Sequence, residues 1–184
     1  MKAIEILVKE HDSILKMIQI TQNLLNSQDD KTKINIDHVE KIIDFIRNFA
    51  DKYHHLKEED MLFVEMENQG MSRENGPIAV MLMEHDEGRS YIKQAAEAVE
   101  KFKLGDQSAF DQLKDNLLNY CTLLSNHINK ENSILYPMAK RILPDNIQLT
   151  MSENFEKFNS STIHNEYYDK YLELVDEFSK IYIN

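Results

Sequence analysis

Three observations predict an all-α protein, an up-down-up-down four-helix bundle with an additional C-terminal helix. Only four Gly and three Pro occur in 184 residues. Leu, Ile and Met recur with a period near 3.6 within long Glu- and Lys-rich stretches. The connections between these stretches are short, and short connections make neighbouring helices antiparallel. A chain of this length supports one hydrophobic core. Residues 1–142 are assigned to the bundle and 143–184 to a helical extension packed on it.

The first helix is expected from about residue 3 to 26, with Ile4, Val8, His11, Leu15, Ile18 and Leu25 on its inner face, until SQDDKTK breaks it. A second starts near Asp37, where Asp37 and Glu40 have capping-box spacing, and runs to about Gln69 before Gly70. Its inward series is Ile43, Ile46, Ala50, His54, Glu58, Met61 and Glu65. The third begins at Pro77, suited to a first helical turn, and presents Ile78, Met81, Leu82, His85, Ile92, Ala96 and Val99 until Gly105. Asp106 can cap the fourth, which carries Leu113, Leu117, Tyr120, Leu124, His127, Glu131, Ile134 and Met138 until Pro137 and Pro144 kink and stop it. Beyond Pro144 the pattern is less regular, with a further helix opening at Ser161 or Thr162.

Acidic residues outnumber basic ones 32 to 21, a net charge of -11. Nucleic acid and anionic membrane surfaces are therefore disfavoured as partners, since both need clustered Lys and Arg. The start MKAIEILVKEHDSILKMI carries charges throughout, so it reads as neither a signal peptide nor a membrane span, and the expected location is cytoplasmic. The single cysteine, Cys121, has no partner for an internal disulfide and lies at an apolar position, as an inert buried thiol would. His38 falls in a first helical turn and is expected to be exposed. Met61, Met81 and Met83 fall at packing positions.

His11, His54, His85 and His127 each lie in the apolar stripe of a different helix, and Glu58 and Glu131 follow two of them at i+4. At about 1.5 Å per residue, His11 and His54 lie at matching distances from the turn that joins their helices, as do His85 and His127. All six side chains can share one slice of the bundle. His55 and Glu59 offer a competing pair, but His54 shares a stripe with Ile46, Ala50 and Met61, whereas His55 follows Asn48, Asp51 and Lys52. A regular helical phase therefore turns His54 and Glu58 inward and leaves His55 and Glu59 outside or behind the ligands.

Any one of these histidines, taken alone, reads as a satisfied core residue. Four imidazoles and two carboxylates buried together without a cation would each carry a desolvation cost that a marginally stable fold does not tolerate. A hydrated polar network is the remaining alternative. Imidazole with carboxylate suits iron, manganese or zinc, and six ligands exceed one tetrahedral site. Two metals bridged by Glu58 and Glu131 fit best.

With EHD at Glu10 to Asp12, HHLKEEDMLF at His54 to Phe63, GPIAVMLMEHDEGR at Gly76 to Arg89 and HINKENSILYP at His127 to Pro137, the chain resembles the hemerythrin-like, or HHE cation-binding, family over roughly residues 1 to 142. The resemblance implies a bundle around an oxo- or hydroxo-bridged centre of two iron ions. It implies His11, His54, His85 and His127 as terminal ligands, and Glu58 and Glu131 as bridges. Oxygen-carrying members have a second histidine four residues after that of the third helix, and Arg89 stands there. One iron should then keep an open position or take a ligand from elsewhere, His164, Tyr53, Tyr91 and Tyr120 being the candidates.

The leading functional expectation is a non-haem di-iron protein that binds or reacts with oxygen, nitric oxide or peroxide at an open iron position, behind an apolar wall of Leu15, Ile46, Leu82 and Leu124. The alternatives are an enzyme that decomposes peroxide or repairs and delivers iron to iron-sulfur clusters, and a metal-stabilised interaction module whose segment after Pro144 is the face of a homodimer.

Overall fold

Among the described residues of the computed structural model, six helices follow one another: α1 Lys2–Asn26, α2 over 36–68, α3 Pro77–Lys103, α4 over 109–142, α5 Asp145–Ser160 and α6 Thr162–Tyr182. The structure describes residues 1–26, 34–160 and 162–183, and among the side chains those of 162–167 are not included. The SQDDKTK break, Ser161 and the side chains of Thr162 and His164 therefore lie outside the described residues. Every regular element among the described residues is helical.

The helix boundaries have local causes. Asn35, not the expected Asp37, caps α2, its side-chain oxygen accepting from the His38 amide at 3.2 Å. Gly76 enters α3 with φ 81° ahead of Pro77, and Gly105 ends the α3 connection with φ 100°, a region only glycine enters cheaply. Asp106 Oδ1 accepts from the Ser108 amide at the start of α4. Pro137 does not stop α4, which continues to Ile142, where Leu143 turns extended ahead of Pro144. One element of the extension was not anticipated. Residues 145–160, read as irregular, form α5, and the spacing of its buried Met151 and Phe155 is helical.

The hydrogen bonding of α2 widens from i→i+4 to i→i+5 over Ile46–His55 and again over Glu58–Leu62, and that of α4 widens over Glu131–Leu135. Such π turns shift the helical phase, and they recur at functional sites. From the ends of the last two onward, the buried series moves by one residue from the regular expectation. Leu62 and Met66 are buried where Met61 and Glu65 were expected, and Leu135 and Ala139 where Ile134 and Met138 were. Ile134 is exposed.

A second correction concerns α1, which packs against α4 and also against α5 and α6. That arrangement buries Leu7, Ile14 and Met17 and leaves Val8 and Leu15 exposed, so Leu15 forms no wall. Met83 is likewise exposed, whereas Met81 is in the core. His38 is partly buried, its Nδ1 2.6 Å from the Tyr182 hydroxyl on α6.

The buried apolar residues form two clusters. One holds Ile14, Phe49, Ile92, Leu117, Ile128 and their neighbours; the other holds Leu7, Leu62, Met81, Leu135 and theirs. On α1 to α4 the predicted ligands separate residues of one cluster from residues of the other. The polar slice thus crosses the middle of the bundle with oil on both sides.

Candidate metal centre

The four bundle helices deliver His11, His54, Glu58, His85, His127 and Glu131 to this slice, all at most 1% exposed. Their donor atoms fall into two overlapping groups. His55, Glu58, His85 and His127 form the first, and His11, His54, Glu58 and Glu131 the second, the atoms of each group lying within 4.8 Å of one another. Glu58 belongs to both. Its Oε2 is 3.6 Å from His54 Nε2 and 3.6 Å from His85 Nε2. Glu131 also faces both groups, with Oε2 3.2 Å from His11 Nε2 and Oε1 3.2 Å from His127 Nε2.

His55, expected outside, is buried and stacks on His85 with ring centroids 3.7 Å apart. The π turn over Ile46–His55 is the reason. A regular helix separates adjacent residues by about 100°, and a wider turn lets both imidazoles approach one face. Glu59 stands behind His85, as the regular phase allowed.

Behind each imidazole is an acceptor that orients it. His54 Nδ1 donates to Glu10 (2.8 Å), His85 Nδ1 to Glu59 (2.7 Å), His127 Nδ1 to Glu84 (2.9 Å), His11 Nδ1 to Asn132 (3.0 Å) and His55 Nδ1 to Asp51 (3.3 Å). An acceptor at Nδ1 places the ring proton there and leaves Nε2 as a lone pair. Two such Nε2 atoms, of His85 and His127, are 3.0 Å apart. With both ring protons on Nδ1 these atoms face each other as lone pairs, an arrangement that a cation beside them relieves.

Four buried atoms in the slice have no hydrogen-bond partner: His54 Nε2, Glu58 Oε2 and both carboxylate oxygens of Glu131. Each such atom costs about 1–3 kcal/mol, more when charged, so together they rival the stability of a domain. A cation or pair of cations held by these atoms removes the cost. The donor chemistry fits, being imidazole and carboxylate without thiolate. Cys121 lies in the apolar core, its thiol pushed up to about 12 by burial.

The electrostatics of His54 and His85 agree with this polarity, whereas at His127 burial is outweighed by Glu131 and Glu84, which raise its pKa. Burial, with the neighbouring His11 and His55, lowers the His54 pKa well below its usual value, and burial with His55 lowers that of His85 to about 3. Neutral imidazole is the ligating form. Burial and then Glu131 push Glu58 upward; for Glu131 burial is opposed by His127 and His11, which bring it down. Two carboxylates in so dry a space need positive charge to ionise together.

Several functional residues were missed by sequence reasoning. Tyr136 donates to Glu58 Oε1 at 2.6 Å, and its hydroxyl is 3.4 Å from His11 Nε2. Of the tyrosines proposed to reach the metals, Tyr53 lies beneath the Lys57 ammonium, 3.6 Å from ring centroid to Nζ, and Tyr91 bonds Glu87 at the surface. Tyr120 lines a cavity. A legible signal for the supports was the dipeptide Glu-His, which occurs at 10–11 and 84–85. In both cases the glutamate supports the histidine of a neighbouring helix, and in both a lysine, Lys57 or Lys130, pairs with that glutamate.

A cavity of about 170 Å³ reaches the imidazoles of His55, His85 and His127 from the surface between α2, α3 and α4. Ile46, Ile92, Tyr120 and Leu124 line it, with Arg47, Arg89 and Lys93 among its charged groups. Ile46 and Leu124 thus occupy the wall position expected of them, while Leu82 is half-buried in the other core cluster.

The hemerythrin HHE cation-binding domain model matches residues 2–139. The chain belongs to that family. Among curated proteins it is similar to the uncharacterized proteins Rv1995 and MT2051 of Mycobacterium tuberculosis and Mb2018 of Mycobacterium bovis, each 22% identical over 152 residues. The match covers 83% of this chain and 59% of each relative, so the chain spans little more than half of their length. No solved structure gives a significant match. Family membership and the two donor groups support metal binding, and among the described residues no helix is long and apolar enough to cross a membrane.

Proposed function

We propose that this HHE domain is a non-haem di-iron protein that binds or reacts with a small ligand, dioxygen, nitric oxide or peroxide, at a coordination position the protein does not fill. The observation that carries the reading is the pair of donor groups sharing Glu58, whose unpartnered oxygens and nitrogen point at one another in a dry slice. His11, His54, His85 and His127 would be terminal ligands, and Glu58 and Glu131 would span the two ions. The ions would supply Lewis acidity and redox capacity at that position.

The chain's own residues do the rest. Glu10, Glu59, Glu84 and Asn132 hold the Nδ1 protons and so aim the Nε2 lone pairs inward. Tyr136 occupies Glu58 Oε1 and leaves Oε2 as the oxygen facing both groups. The two apolar clusters limit water, while the cavity admits a ligand to the His55, His85 and His127 edge. Four donors per ion leave positions free on a six-coordinate metal.

Metal analysis of protein purified without chelator, with optical spectra before and after oxygen, tests the reading. Two irons per chain and a charge-transfer band that follows oxygen exposure are expected. Less than one iron per chain with no such band would overturn it. Peroxide turnover at the same position is the second reading, with the cavity as the way in for the substrate. Peroxide consumption by wild type, abolished in Glu58→Ala, would support that reading over reversible binding.

A further inference from the structure

We propose that His55 is a protein ligand of the cation held by the first donor group, supplying from α2 the imidazole that position 89 of α3 does not. The inference rests on the metal-centre reading above and adds a ligand to it.

Position 89 lies one turn after His85 and carries a guanidinium. Arg89 cannot ligate; it instead binds Asp51 through Nε (2.9 Å) and Nη2 (2.8 Å), and Glu59 through Nη2 (2.6 Å). Those two carboxylates are the ones that accept the Nδ1 protons of His55 and His85. One guanidinium therefore fixes the supports of both rings.

His55 has the other attributes of a ligand. Its ring lies within 12° of parallel to that of His85 at 3.7 Å, so the two imidazoles face the same space side by side. Its donor atom is within 4.8 Å of those of Glu58, His85 and His127. With its proton directed to Asp51, the other ring nitrogen is a lone pair available to a cation. The ring with its proton held by a carboxylate is the usual arrangement of a metal-bound histidine. With Glu58 and Glu131 shared between the ions, His55 would be the third imidazole of the first ion beside His85 and His127.

Anaerobic titration of the metal-free full chain with Fe(II), with circular dichroism for folding and X-ray absorption for the number of imidazoles per iron, tests the assignment. His55→Phe keeps an aromatic ring against His85 and removes the donor. It is expected to stay helical, to bind one Fe(II) equivalent with at least about ten-fold lower affinity, and to show fewer imidazoles per iron. Should the phenylalanine variant not fold, His55→Gln preserves a polar contact to Asp51 and is expected to show the same loss. A folded variant with wild-type affinity for both equivalents and an unchanged imidazole count would overturn the inference while leaving the di-iron reading intact. Wild-type protein that takes up no Fe(II) would instead overturn the metal centre, and this ligand with it.

Discussion

The two donor groups share a carboxylate and repeat a design, yet their surroundings differ. Behind His54 of the second group stand Glu10 and Lys57, a pair whose side chains are 1% and 0% exposed. Behind His127 of the first stand Glu84 and Lys130, 10% and 36% exposed. The first pair lies under α5 and α6, where Lys57 also donates to Asn159 and sits over the Tyr53 ring. The second lies beside the cavity and close to solvent. Burial pushes Glu10 up to about 7 and Lys57 downward, each opposed by its partner's charge. The same side-chain chemistry is thus a sealed brace on one side and a solvated one on the other. The second group is the sealed side of the centre, and the first is the side the cavity reaches.

The strongest way to break this picture is Glu131→Ala, which removes oxygens facing both groups. Metal content should fall below one per chain, while the metal-free variant stays as stable as metal-free wild type, because an uncompensated buried carboxylate is gone. Elemental analysis and denaturant unfolding read the two arms; two metals retained would show that Glu131 spans nothing. Next in size is Lys57→Met, which leaves Glu10 without its buried partner. A loss of about 3–5 kcal/mol in urea unfolding is expected. A smaller effect belongs to Gly88→Val in the cavity wall, where even a Cβ would stand 3.3 Å from the Tyr120 ring. Stopped-flow association of azide with the iron-loaded protein should slow at unchanged metal content, and an unchanged rate would deny the cavity its part as the route. The smallest change is Lys130→Met, expected to cost less than about 1 kcal/mol because water screens the exposed pair. Equal losses for the Lys57 and Lys130 variants would erase the distinction between sealed and open sides.

Much of the site was legible because histidine and glutamate at helical spacing inside apolar stripes are hard to place otherwise. His11, His54, His85 and His127 needed only the period and the matching of levels. Tyr136 was not legible, because it lies beyond Glu131, where the regular phase had already slipped by a residue. Lys57 falls in a charged run, KEED, of a chain that is 29% charged, and the covering of α1 by α5 and α6 is what buries it with Glu10. α5 itself was obscured by its polar residues, although Met151 and Phe155 carry its buried face.

Periodicity, low Gly and Pro content and the spacing of imidazoles and carboxylates determined by themselves that this is a helical bundle with a polar middle slice. Tertiary structure decided which neighbour of each pair turns inward. The π turns at Ile46–His55, Glu58–Leu62 and Glu131–Leu135 exchange regular i→i+4 bonds for wider ones, and that exchange brings His55 beside His85 and moves Leu62 and Leu135 into the core. A one-dimensional pattern assumes a constant turn. The packing of four helices around a cluster of ligands is what makes the turn vary.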